Sequence, residues 1–232
     1  MAAPRYGNIN FEMISTWVGR TPEEDGPFWA LNLMKYREVA EYTDGRATTR
    51  SGRDADDEYV PRDSLHAIGA MIAFAADIDD QAGAEPRWDR IGIVRYPSRV
   101  AFLEMQQRDD FKDKHVHKDA GMACTIVMSC LPISRVALRA NDDDTIVLRV
   151  ARGAHPLPRV DGATHLGSFE VEGVIVGDER TWTEASFDAA PDAETRAALL
   201  AAHGDSEEIF AIALDRPMVD ALARSIETAE GT

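Results

Sequence analysis

Cysteine is scarce in this chain of 232 residues, which has two, Cys124 and Cys130. Both belong to or flank the apolar run at 125–131, which reads as a strand. Six extended positions at ~3.3 Å each set them roughly 20 Å apart. A disulfide needs Cα atoms within about 7 Å, so the two do not pair along one strand. Neither has a neighbouring motif that would activate a thiolate. Free, buried thiols fit a reducing compartment, and the cytoplasm is the expected address. Long apolar runs are missing too: the uncharged stretch at 68–76 falls far below the ~18 residues that span a bilayer. The first eleven residues carry no apolar signal core. Basic residues are the third shortage, with 25 Lys and Arg against 41 Asp and Glu and a formal charge of −16. The deficit is concentrated in residues 141–232, which hold 7 basic against 19 acidic side chains. So acidic a surface repels phosphate backbones, so neither nucleic acid nor a membrane is an expected partner. Solubility accounts for the charge itself. Also lacking are a Gly-Xaa-Ser-Xaa-Gly elbow, a phosphate-binding glycine loop and a dinucleotide fingerprint. No cofactor is therefore expected.

What is present is an ordinary globular composition, 44% hydrophobic and 28% charged. Four strands are predicted in the first half, at 28–36, 70–78, 90–96 and 125–131, from β-branched and aromatic runs closed by turn residues. A helix is predicted over 54–68, kinked or split by Pro61. Another follows Ser98, a good N-cap, over 98–107, and a short one covers 110–122. The order βαββαβ is the split βαβ motif. The second half repeats it weakly: strands at 145–151, 169–176 and 181–187, a helix at 193–203 and a strand at 208–214. Tyr96-Pro97-Ser98 before a helix in the first half is answered by Ala190-Pro191-Asp192 in the second. The first helix of the second repeat is missing, because 153–166 carries Pro156, Pro158 and two glycines. The expected fold class is α+β: two ferredoxin-like units, at 1–140 and 141–232 with the boundary within 139–144. Their sheets face each other and close a barrel-like core of the dimeric α+β barrel type.

Specific motifs carry a resemblance over residues 26–132. They are Phe28-Trp-Ala-Leu-Asn-Leu-Met-Lys-Tyr36, Tyr42-Thr-Asp-Gly-Arg46, Ser51-Gly-Arg53, the run from Trp88 to Met105, and His115-Val-His-Lys118. This stretch resembles the uncharacterised domain-of-unknown-function family 1330, within the dimeric α+β barrel superfamily. The resemblance implies a ferredoxin-like barrel with a small-molecule pocket. It is weak for function, since the superfamily spans cofactor-independent monooxygenases, isomerases, polyketide cyclases, haem enzymes and plain binding proteins. Relatives cover the open sheet face by dimerising. The extra residues 133–232 suggest that this chain supplies the covering half itself, and a homodimer stays open.

The candidate site residues follow from side-chain chemistry. Alternation along 28–36 sets Asn32 and Tyr36 on one face of a strand. An amide among apolar neighbours needs a partner or costs ~1–3 kcal/mol, and a substrate carbonyl or water could supply it. In His115-Val-His117, imidazole is the side chain tuned for proton transfer near neutral pH. As an extended i, i+2 pair the two could also share a metal, but no third ligand at motif spacing accompanies them, so none is assigned. Lys112, Lys114 and Lys118 make a small basic island around them, which could steer an anionic substrate or be a solvated helix face. Tyr59 and His66, seven apart, fall on one helix face with Asp63 between, and Tyr96 could place a phenol in the pocket. His155, His165 and His203 are scattered, and the second half reads as structural. The leading expectation is a cofactor-independent enzyme acting on a small, partly apolar molecule by proton transfer: an isomerase, cyclase or lyase. His115 would be the general acid or base, Asn32 and Tyr59 would hold a carbonyl or enolate oxygen, and Tyr36, His66, His117 and Tyr96 would bind substrate. A cofactor-independent monooxygenase and a non-catalytic small-molecule-binding protein are the alternatives.

Overall fold

A computed structural model describes residues 4–21, 23–83, 85–133, 141–153, 157–202, 209–214 and 219–230. The chain opens with β1 (Asn8–Ile9) and α1 (Phe11–Trp17), neither expected from the sequence. Next come β2 (Phe28–Tyr36), α2 (Gly52–Tyr59), α3 (Arg62–Ala67), β3 (Met71–Ala82), β4 (Arg90–Tyr96), α4 (Arg99–Met105), α5 (Asp109–Gly121) and β5 (Met122–Pro132). The second set is β6 (Thr145–Ala151), β7 (Thr164–Gly177), β8 (Glu184–Ala190), α6 (Ala193–Ala201) and β9 (Ile209–Leu214), followed by α7 (Val219–Glu230). Local chemistry explains the helix starts. Ser51, Ser98 and Asp192 accept from the amides of Asp54, Ala101 and Thr195, satisfying donors that a helix start leaves free. Pro61 ends the first helical segment and separates α2 from α3.

Within each half the strands take the same order. It is β5-β2-β4-β3 in the first and β9-β6-β8-β7 in the second, so each half runs fourth, first, third, second. The halves are not two separate facing sheets, as expected, but are hydrogen-bonded along both edges. β5 pairs with β7, from Val127↔Val176 to Pro132↔Phe169, and β3 pairs with β9, from Ile78↔Leu214 to Ala82↔Ala211. Together with the β7–β8 pairing, these seams close an eight-stranded antiparallel barrel, with β1 added outside on β7. Each seam joins the second strand of one half to the fourth of the other. β3 and β7 are long because each crosses between halves: Met71–Asp77 face β4 while Ile78–Ala82 face β9. Closure leaves the eight barrel strands without unpaired edges.

The barrel interior is filled. Trp29, Leu31 and Leu33 of β2, Ile91 and Ile93 of β4, Ile126 and Met128 of β5, and Ile146, Leu148 and Val150 of β6 alternate into it. Phe187 sits edge-on to Phe74 and Phe169, at centroid distances of 5.5 and 6.2 Å. Each such side chain contributes ~1.5–3 kcal/mol by leaving water. Leu222, Ala223 and Ile226 of α7 join this core, and Trp29 Nε1 donates to Ser225 Oγ at 2.8 Å. The second face of each strand meets helices. On the first half these are α2 to α5, whereas on the second Leu199 and Leu200 of α6 pack on Val147, Ala211 and Ala213. No helix forms among the described residues at 157–163, as the prolines and glycines implied; 134–140 and 203–208 lie outside the described residues. Among the described residues no helix is long and apolar enough to cross a membrane.

Candidate functional site

A cavity of about 180 Å³ lies outside the barrel, between the outer face of the first-half sheet and its helices. An apolar cavity of ~150 Å³ accepts a molecule the size of benzene, so this one has room for a small organic ligand. Ala30, Asn32 and Met34 of β2 form the floor with Gly92 and Val94 of β4. Gly92 stands opposite Asn32 in the ladder, and a Cβ there would press on the Met34 methyl at 3.3 Å. The missing side chain thus leaves floor space beside the amide.

The roof is set by helix periodicity. Phe111, His115 and Lys118 lie at i, i+4 and i+7 on α5 and share a face. Asp56 and Tyr59, three apart on α2, do the same. The two helices approach through glycines: a Cβ on Gly52 would fall under 3.0 Å from the Gly121 carbonyl and the Arg37 backbone. Arg37 N donates to Gly121 O at 2.8 Å, and Gly52 N to Arg37 O at 3.0 Å. The N-terminal segment closes one side. Arg5 pairs with Asp119 at 2.8 Å, and Thr125 N donates to Tyr6 O at 2.9 Å. These bonds pin Tyr6 against α5.

His115 is the centre of this wall. Its Nε2 lies 2.8 Å from the Tyr6 hydroxyl, and the rings of Phe111 and Tyr59 pack on it at 5.5 and 6.0 Å. Burial lowers its pKa from 6.5 to about 4, with the Lys118 charge adding to the effect and Asp119 opposing it. His115 is therefore a neutral imidazole at neutral pH. Burial raises the phenols of Tyr6 and Tyr59, so both stay protonated. Lys118 Nζ hangs over the Tyr59 ring at 5.2 Å and the Tyr6 ring at 5.5 Å. Burial lowers its pKa, and Asp56 partly restores it.

The sequence-predicted residues divide. His115, Asn32, Tyr59 and Tyr96 all line the cavity. Asn32 does so with the opposite polarity to that expected. Its Nδ2 donates to Ala30 O at 2.9 Å and Gly92 O at 3.4 Å, which leaves the acceptor oxygen, not a donor, for a ligand. In this orientation it offers no donor to a carbonyl or enolate oxygen. Tyr96 stacks on Phe28 at 5.3 Å and is edge-on to Phe102, a packing position with only its rim in the cavity. Tyr36 stands behind the wall and donates to Asp56 Oδ2 at 2.8 Å. His66 is exposed and outside the cavity, because Pro61 breaks the helix and with it the seven-residue register to Tyr59. His117 turns away as well: α5 is helical, so i, i+2 side chains diverge, and its Nδ1 meets the Tyr42 hydroxyl at 2.8 Å. The two histidines consequently share no metal position.

Sequence reasoning missed Tyr6 as a site residue and read Lys118 only as part of a basic island. Lys118 had a readable signal, three positions from His115 on a helix. Tyr6 had none, since it reaches His115 across 109 residues.

The fold is an α+β barrel with a cavity on one sheet. No family model matches the chain, and no curated protein matches it, so the expected resemblance to domain-of-unknown-function family 1330 is not confirmed. Among solved structures, the RPA0582 protein of unknown function from Rhodopseudomonas palustris is similar at 21% identity and TM-score 0.46, over 56% of this chain and 98% of that one. A methylated form of RPA0582 gives 24% identity and TM-score 0.47 over 58% and 98%. A mutant chlorite dismutase from Candidatus Nitrospira defluvii is similar at 8% identity and TM-score 0.45, over 88% and 96%. None of these likenesses reaches a TM-score of 0.5, and they say nothing of the site.

Proposed function

We propose that the chain is an enzyme that moves a proton on a small, partly apolar molecule, with His115 as the acid–base group acting together with Tyr6. One observation carries this reading: a neutral imidazole hydrogen-bonded to a phenol on the wall of a partly open cavity. With Nε2 as acceptor, the Tyr6 phenol can take a proton from substrate carbon while its own proton passes to His115. The electron pair released from the C–H bond moves onto the adjacent carbonyl oxygen as an enolate. Return of the proton at a second position completes an isomerisation. The raised pKa of Tyr6 requires the two transfers to be concerted, since a standing phenolate is disfavoured. The Tyr59 hydroxyl, without a partner among the described residues, is a donor for the enolate oxygen, and Asn32 accepts from a substrate hydroxyl. A base with a pKa of about 4 is weak, so the fitting substrates are those whose C–H is already acid, such as 1,3-dicarbonyl compounds.

The test is solvent deuterium exchange into a panel of small 1,3-diketones, followed by proton NMR. The full chain should accelerate exchange in at least one, and His115→Gln should lower that rate by about 10²–10⁴. Binding without accelerated exchange would identify a binding protein instead.

A further inference from the structure

From the charges around this cavity we infer that its ligand is a small organic anion, with an apolar body and one carboxylate that pairs with the Lys118 ammonium. The inference rests on the small-molecule reading of the site and adds the substrate's charge class. The other charged groups of the cavity wall are answered from within the protein. Arg90 meets Asp57 at 2.7 Å and Asp77 at 3.2 Å, and Asp56 accepts a hydrogen bond from the Tyr36 hydroxyl at 2.8 Å with Arg90 3.9 Å away. Lys118 differs: among the described residues its Nζ has no hydrogen-bond or ion-pair partner, only the faces of two tyrosine rings.

An ammonium set half-buried in an apolar wall without an anion is costly, and the cation–π contacts return only a part of that. A carboxylate entering the cavity removes the deficit by a charge-assisted hydrogen bond in a low-dielectric site. Ile72, Val94, Met105 and Phe111 around the rest of the wall suit an apolar ring or branched chain. The size fits a single ring, given the cavity's 180 Å³. The net charge of −16 does not favour anions at long range, so the local ammonium has to supply the recognition.

The experiment is calorimetric titration of the full chain at pH 7 with benzoate and phenylacetate, and with their uncharged amides as same-shape controls. The acids should bind, and each amide should bind about ten-fold or more weakly. Lys118→Met should lower acid affinity about 10- to 100-fold while leaving the amides within a few-fold, and Lys118→Gln provides the same comparison should the methionine variant fold poorly. Equal binding of acid and amide, acid binding that survives in both variants, or no acid binding at millimolar concentration would each overturn the inference. Covalent trapping of benzaldehyde on Lys118 by borohydride, with no acid binding, would replace it by imine chemistry. Acid binding that depends on Lys118, with deuterium exchange indifferent to His115, would leave the inference standing and remove the proton-transfer reading.

Discussion

The Tyr6 hydroxyl and His115 Nε2 lie 2.8 Å apart although 109 residues separate them in the chain. The contact exists because Arg5 and Thr125 fasten the N-terminal segment to the end of α5 and the start of β5. If the two side chains act as one relay, their effects cannot add. Tyr6→Phe and His115→Gln should each lower deuterium exchange by a similar factor, and the double variant should fall little further. Multiplicative losses in the cycle would separate the two residues into independent roles.

The histidine also makes stability depend on pH in a defined direction. Unfolded, His115 takes a proton near 6.5; folded, near 4. Between those values the unfolded chain binds more protons, so stability is complete above 6.5 and is lost as pH falls toward 4. His115→Gln should flatten this slope while retaining a side chain able to bond Tyr6. Urea unfolding at pH 7 and pH 5 for both proteins measures it. An equal loss on acidification in the two would place the His115 pKa near its ordinary value.

Lys118 is disfavoured as a cation in the same way, but it titrates at higher pH. Its charge meets only two tyrosine faces among the described residues, so Lys118→Met should stabilise the protein at pH 7 by roughly 1 kcal/mol. The gain should shrink as pH rises toward 10.5, because the folded lysine loses its proton before the unfolded one does. Thermal unfolding across pH 7–10 reads both effects, and a destabilised variant at pH 7 would mean that the ammonium already has a partner.

The helix pair that carries the site depends on two glycines. A methyl group on Gly121 would press on the Gly52 carbonyl and on Ala55 Cβ, so Gly121→Ala must push α2 from α5. A destabilisation of about 1–3 kcal/mol is expected, with His115 and Lys118 displaced together and ligand affinity lost. Unchanged affinity in a destabilised variant would show that the roof tolerates the shift.

Much of this arrangement was legible in the sequence, and the gaps have physical causes. Phe28–Tyr36, Arg90–Tyr96 and Thr145–Ala151 read correctly to the residue, because a continuous β-branched or aromatic run ends at turn residues in each. β3 was read four residues short, since Asp79 and Asp80 look like a turn; they are tolerated because the strand leaves β4 there to pair with β9. β8 was placed three residues early for want of a clear turn signal after Thr181. His115 and Tyr59 followed from chemistry and spacing. His66 and His117 lie outside the cavity, because their faces depend on where a helix breaks or whether a segment is helical at all. Asn32 was placed correctly but with its amide reversed, a matter of which backbone carbonyls lie beside it.

The closed barrel implies a last prediction about the chain's own second half. Trp29, Leu31, Leu33, Ile91, Ile93, Ile126 and Met128 face an interior completed by Ile146, Leu148, Val150, Phe169, Phe187 and Ile212. Residues 1–140 alone would bare that apolar face together with the free edges of β3 and β5. A soluble monomer rarely exposes a contiguous apolar patch beyond a few hundred Å², and an open edge invites pairing. The repeated strand order supplies a remedy: a second copy of the first half presents the same second and fourth strands that β7 and β9 present here. Residues 1–140 should therefore form a homodimer with an eight-stranded barrel, or aggregate, whereas the full chain keeps the face covered in cis. Size-exclusion chromatography with light scattering distinguishes these states, and a well-folded monomer of residues 1–140 would show that the second half is not needed to cover the sheet.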